Sequence, residues 1–230
     1  MTTKPLARKA YGSIPHLPGS KRGSGDYGLS DSQASIMTHQ PRRGDTIIVT
    51  EKLDGSCVAI AKIDSRIIPL VRAGYPAHSS SHWCHWQFNK WVLRDAPRWD
   101  TLLKDGERLV GEWLGQAHGT MYELGDKEPF FAFDLMMDDR RLSMSTFWDR
   151  FHSVQTTPLV AYSCEDGLPI QYCWKQMTET FAKERIGPPE GLVYRVEYNG
   201  KCEFLAKYVR ADFEPGKYLD NDIKLWDFDS

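Results

Sequence analysis

The segment Glu51-Lys52-Leu53-Asp54-Gly55-Ser56 sets a lysine at the end of a strand-like run, two residues ahead of an Asp-Gly pair that turns the chain. A lysine amine attacks an electrophile only when unprotonated, and desolvation or a neighbouring cation can lower its pKa enough to free the lone pair. The same letters also describe an exposed lysine beside a common β-turn, and K-x-D-G with three fixed positions does not separate the two readings. Further residues able to do chemistry stand downstream: Arg72 in Val71-Arg72-Ala73-Gly74-Tyr75, Glu112 in Val110-Gly111-Glu112-Trp113-Leu114-Gly115, and Phe133 in Phe130-Phe131-Ala132-Phe133-Asp134-Leu135. Glu190 follows in Glu190-Gly191-Leu192-Val193-Tyr194-Arg195, and Lys207 in Ala206-Lys207-Tyr208. Taken singly, each has a plain reading: Arg72 as a surface arginine, Glu112 as an exposed acid on a strand, Phe133 as core, Glu190 as a loop acid.

In this order and spacing, over about residues 46–213, the set resembles the nucleotidyl-lysine motifs of the superfamily that contains DNA ligases, RNA ligases and mRNA capping enzymes. The resemblance implies that Lys52 takes up AMP from ATP and that Glu51, Leu53, Asp54 and Gly55 surround it, with Glu51 beside the base. It further implies that Arg72 meets the phosphate or ribose side, Glu112 the ribose, Phe133 the adenine face and Lys207 the α-phosphate. Glu112 and Glu190 would hold a divalent metal, Mg²⁺ or Mn²⁺, whose charge offsets that of the phosphates. The implied scheme has three steps: AMP moves to the lysine, then to a 5′-phosphate end, and a 3′-hydroxyl finally displaces it.

Two departures qualify the match. The family's final motif carries two lysines as K-x-K, whereas the chain reads Phe204-Leu205-Ala206-Lys207-Tyr208-Val209-Arg210: either Val209 stands for the second lysine, with Arg210 as its replacement, or Leu205 stands for the first, and one cation is missing in both cases. The stretch after Lys207 is also too short for the OB-fold that DNA ligases and capping enzymes add. With Gly-Glu-Trp-Leu-Gly and Lys-Leu-Asp-Gly-Ser, this favours the branch that seals nicks in duplex RNA. A minimal ATP-dependent DNA ligase and a non-catalytic nucleic-acid end-binding module are the alternatives. The partner expected is nicked or end-bearing RNA, with a second protein as a source of extra substrate binding.

The elements that must position these residues read as α+β. The resemblance implies a nucleotidyltransferase (adenylation) domain of the ATP-grasp-like ligase type, with antiparallel sheets, flanking helices and no OB-fold. β-branched and apolar runs predict strands over Thr46–Thr50, Cys57–Ala61, Ile67–Val71, Leu109–Leu114 and Phe130–Met136. Two more, Gly191–Tyr198 and Cys202–Val209, are joined by Asn199-Gly200, a strong hairpin signal. Helical spacing predicts helices over Trp83–Leu93, over Ser145–Val154 with Ser145 as cap, and over Thr178–Glu184. Residues 1–45 form a basic segment rich in glycine and proline that leads into or packs on a domain of residues 46–230.

Composition narrows the class. The 230 residues carry a net charge of −2, so contact with nucleic acid must come from a local basic surface. Lys4, Arg8, Lys9, Lys21, Arg22, Arg42 and Arg43 make the first part basic, and it could track phosphates near the site. Five cysteines with no C-x-x-C pair, no apolar leader and no membrane-length apolar run point to a soluble cytoplasmic protein with reduced thiols. His78, His82, Cys84 and His85 could ligate zinc by type, but their spacing fits no standard finger. A loop leading into the Trp83 helix is the other reading.

Overall fold

Two antiparallel sheets face one another, and the chain crosses between them at the Asp-Gly turn. The computed structural model describes residues 3–180 and 185–227. β1 (Asp45–Lys52) belongs to a four-stranded sheet, and β2 (Ser56–Ile63) opens a five-stranded one. Leu53-Asp54-Gly55 is therefore a crossover rather than a hairpin turn. Gly55 suits it because a Cβ there would press on the Trp113 carbonyl.

The larger sheet continues with β3 (Arg66–Val71), β4 (Glu107–Trp113), β6 (Phe130–Met137) and β7 (Arg140–Arg141), in the order β3-β2-β4-β6-β7. Between β4 and β6 lies β5 (Met121–Tyr122), which pairs with β9 (Arg185–Ile186). One face of this sheet is covered by α2 (Trp83–Arg94) and α3 (Ala96–Leu102), whose Phe88, Trp91 and Trp99 pack on Val58, Ile60, Leu109, Trp113 and Phe130. α4 (Met144–Arg150) adds Phe147 to the same core. Its cap is Ser143, whose hydroxyl accepts from the Thr146 amide, so the helix begins before the Ser145 cap expected from sequence.

The smaller sheet runs β11-β10-β1-β8, with β8 (Leu159–Ser163) at one edge. β10 (Gly191–Tyr198) and β11 (Lys201–Val209) form the hairpin through Asn199 and Gly200, both at positive φ as a two-residue turn of this kind requires. Alternation sends Ile47, Val49, Leu192, Tyr194, Val196 and Ala206 to one face. There they meet α1 (Asp31–Thr38), held by a Ser30–Gln33 capping box, and α5 (Ile170–Thr180). The helix expected over Thr178–Glu184 begins earlier, and residues 181–184 lie outside the described residues.

The opposite faces of the two sheets look toward each other. The N-terminal segment closes the space beside them. Ala10 and Tyr11 join Ala59, Ala61, Leu70, Val110 and Met136 in a third core, and Arg108 Nε donates to the Ala10 carbonyl at 2.8 Å. All five cysteines are free thiols, and among the described residues no helix is long and apolar enough to cross a membrane.

Phe88 contacts Trp91, Trp113 and Phe130 at ring-centroid distances of 5.4–6.3 Å at the centre of the helix-covered core. Truncation leaves a cavity that these rigid rings cannot collapse into. Phe88→Ala is expected to lower the unfolding free energy by about 3–5 kcal/mol, read as a shift in the denaturant midpoint at unchanged slope.

Candidate nucleotide site

The space between the sheets is a cavity of about 280 Å³. Alternation on β1 and β10 turns Ile48, Thr50 and Lys52, and then Val193 and Arg195, toward it; Leu205 and Lys207 follow on β11. The larger sheet contributes Cys57, Glu112 and Phe133, and the N-terminal segment adds Tyr11, Gly12 and Ile14. The cavity is thus apolar at the Phe133, Val193 and Leu205 walls and charged where Lys52, Glu112 and Lys207 meet, the mixture that a ligand with a flat ring and an anionic tail requires.

Lys52 is the last residue of β1 and lies opposite Gly191, so the preceding Glu190 comes alongside it. The ammonium donates to Glu190 Oε2 at 2.7 Å. Burial is the largest single influence on Lys52 and lowers its pKa, but Glu190 and then Glu112 outweigh it, so the pKa lies above that of an ordinary lysine. Glu112 accepts from the Gly55 amide at 3.1 Å. Burial pushes its pKa up to about 7 against the pull of Lys52, with Glu190 adding to the rise. Burial also raises Glu190. Lys207 is lowered, first by burial and then by Lys52. Lys52, Glu112 and Glu190 therefore share one desolvated space and shift one another, and Lys207 feels Lys52 and Glu190 from beside them.

The remaining residues singled out from sequence divide into two groups. Arg72 and Leu53 line the cavity, and Arg72 Nη2 donates to Ser13 Oγ at 3.1 Å. Phe133 meets Tyr11 edge-on with centroids 5.3 Å apart. Glu51 also lines the cavity, but its carboxylate accepts from Arg185 Nε at 2.7 Å in a buried pair. Asp54 and Arg210 are not among the lining residues. The Asp54 carboxylate accepts from the amides of Gly119 and Thr120 at 2.6 and 2.7 Å and so holds the loop after β4. Arg210 donates to the Pro189 carbonyl at 2.9 Å and pairs with Asp212 at 2.8 Å, which fixes the turn that carries Glu190. The histidine cluster makes no metal centre among the described residues: His85 bonds Ser80, Cys84 is buried in α2, and His78 and His82 face solvent.

Several lining residues lie outside the set singled out from sequence. Val193 and Arg195 fall within the Glu190 motif segment, and the alternation along β10 turns both to the cavity. Tyr11 could not be found this way, because it reaches the site from a segment far away in sequence. Its hydroxyl donates to Asp134 at 3.1 Å, and Asp134 in turn receives Arg195 at 3.1 Å and Arg141 at 3.0 Å. Arg195 also pairs with Glu197 at 2.6 Å, so the deep end of the cavity rests on a buried ionic network.

The RNA ligase family model matches residues 45–209 of the chain. No curated protein sequence matches it. Among solved structures, a point mutant of the Naegleria gruberi RNA ligase with ATP and Mn is 16% identical with a TM-score of 0.50, covering 90% of this chain and 61% of that one. The same ligase with PPi is 16% identical with a TM-score of 0.50, covering 90% and 60%. An archaeal ATP-dependent RNA ligase is 14% identical with a TM-score of 0.51, covering 87% and 48%. The chain thus spans less than two thirds of the length of these structures, and at such identity the likeness is one of fold.

The pinning of the loop by Asp54 has a local readout. In Asp54→Ala the amides of Gly119 and Thr120 lose a charged acceptor each, and their hydrogen exchange is expected to accelerate by about tenfold or more while the β4 amides keep their protection. Unchanged exchange at both amides would contradict the assignment.

Proposed function

The chain belongs to the RNA ligase family, and from that premise we propose that it joins RNA ends in an ATP-dependent reaction that begins with transfer of AMP to Lys52. The observation that carries this reading is the amine of Lys52 set 2.7 Å from Glu190 in a cavity that Phe133, from the facing sheet, also lines. An adenine ring stacked on Phe133 would direct its phosphates toward Lys52 and Lys207. Such orientation supplies much of the rate advantage of a bound reaction.

The chemistry follows from these groups. The Lys52 amine, once it has given up its proton, attacks the α-phosphorus of ATP. A P–N bond forms as the P–O bond to pyrophosphate breaks. Lys207, two strands away across β10, sets a cation against the charge that gathers on the α-phosphate. The AMP then passes to the 5′-phosphate of an RNA end, and attack by a 3′-hydroxyl forms the phosphodiester and releases AMP.

Glu112 and Glu190 fit a divalent cation of the Mg²⁺ or Mn²⁺ type. Such ions take one or two carboxylates and complete their shell with water and phosphate oxygens, and both carboxyls converge on Lys52. A cation held there would neutralise phosphate charge and weaken the hold of the two acids on the lysine proton. That the Naegleria ligase structure contains ATP and Mn supports the pairing of nucleotide and metal.

Three substrates distinguish this reading from a minimal DNA ligase: nicked duplexes with RNA on both sides of the break, on one side, or on neither. With ATP and Mg²⁺ the RNA-containing nicks are expected to be sealed faster. Lys52→Ala and Lys52→Arg should each abolish sealing, since a guanidinium stays protonated near neutral pH. Fastest sealing of the all-DNA nick would replace RNA with DNA as the substrate, and undiminished sealing by either variant would remove Lys52 from the reaction.

A further inference from the structure

One row of residues runs in register across the smaller sheet and continues beyond its edge. Thr50 lies opposite Val193, and Val193 opposite Lys207. His16 then bridges Lys207 on one side and Gly28 on the other. Thr50, Val193 and Lys207 all line the cavity, so the row follows its wall outward. The backbone makes this a real extension of the sheet: the Lys207 amide donates to Pro15, Leu17 donates to Lys207, and Lys21 donates to Val209, at 2.8–2.9 Å.

The far end of the row is basic. Gly28 has no side chain, and the guanidinium of the exposed Arg22 occupies the space above it. A Cβ on Gly28 would lie 2.8 Å from Arg22 Nη1. At a strand spacing of about 4.8 Å, Gly28 stands about 10 Å from Lys207, a span that a triphosphate anchored at Lys207 can cover with the reach of an arginine. Between them lies Asp26, 3.2 Å from His16 Nε2 and 3.8 Å from Lys207 Nζ, on a turn in which Gly23 donates to its carboxylate and Gly25 has φ +83°.

Transfer of AMP to a lysine expels pyrophosphate, and among the described residues Lys207 is the one basic side chain that the last strand brings to the cavity. Val209 is buried and apolar, and Arg210 is committed to Pro189 and Asp212. We propose that Arg22, acting with Lys207, binds the pyrophosphate part of ATP at the outer end of this row, and that Asp26 holds the phosphate position beside Lys207 until the nucleotide displaces it. The proposal rests on the nucleotide reading of the cavity and assigns the leaving group to the Gly-rich N-terminal segment. Arg22 is a positioning residue for the departing phosphates. Asp26 acts against their binding.

The test measures the heat of binding of inorganic pyrophosphate to the whole chain and to Arg22→Ala, Arg22→Lys and Asp26→Asn. Arg22→Ala is expected to weaken binding about tenfold, as the loss of one charge-assisted contact does, and Arg22→Lys to recover most of it. Asp26→Asn should tighten binding about threefold, since a competing anion is gone. The same order should appear in the ATP concentration that half-saturates AMP transfer to Lys52. Arg22→Ala binding equal to that of the parent, or weaker binding by Asp26→Asn, overturns the proposal. Because the heat measurement needs no turnover, Arg22-dependent pyrophosphate binding in a chain that seals no RNA would refute the ligase reading alone.

Discussion

The ion pair between Lys52 and Glu190 is the contact on which the site is built. It requires the last residue of β1 to lie against the first of β10, and that register is tight: a Cβ on Gly191 would land on the Tyr208 carbonyl of β11. Arg210 holds the turn before it through the Pro189 carbonyl. Glu112 then approaches from the other sheet, brought there by a chain that changes sheets within Leu53-Asp54-Gly55. The acids that surround the lysine also keep it charged. A lysine held as an ammonium by two desolvated carboxyls has no free lone pair until other charges enter the site.

The apolar end of the cavity depends on a second constraint. Arg195, Asp134, Glu197 and Arg141 are ionic groups placed between the sheets, where unpaired charge is costly. They satisfy one another, and the Tyr11 hydroxyl completes the coordination of Asp134. This ties the N-terminal segment to the floor of the site and places the edge of the Tyr11 ring against Phe133. Removal of either partner would disturb the Phe133 wall of the cavity as well as the network.

The sequence makes some of this legible and conceals the rest for physical reasons. The strands around Lys52, Glu112, Phe133 and Glu190 declare themselves by runs of β-branched and aromatic residues, and Asn199-Gly200 declares its hairpin by the positive φ that its turn needs. The crossover at Asp54-Gly55 does not, because Asp-Gly reads as a turn whether the next strand joins the same sheet or another. Leu159–Ser163 is an edge strand with little burial and so gives no clear alternation. The role of residues 10–28 is hidden most deeply. Glycine and proline there mark loop correctly, yet nothing local shows that His16 pairs with Lys207, and pairing over such a separation is a property of the fold alone.

The central claim is that Lys52 is the residue that carries AMP. After incubation of the chain with ATP and Mg²⁺, peptide mapping by mass spectrometry under conditions that preserve a phosphoramidate locates the nucleotide directly. The expected result is a single AMP per chain on the peptide containing Lys52, discharged when pyrophosphate is added. AMP on any other residue, or sealing of RNA by a chain on which no AMP adduct ever forms, would contradict it.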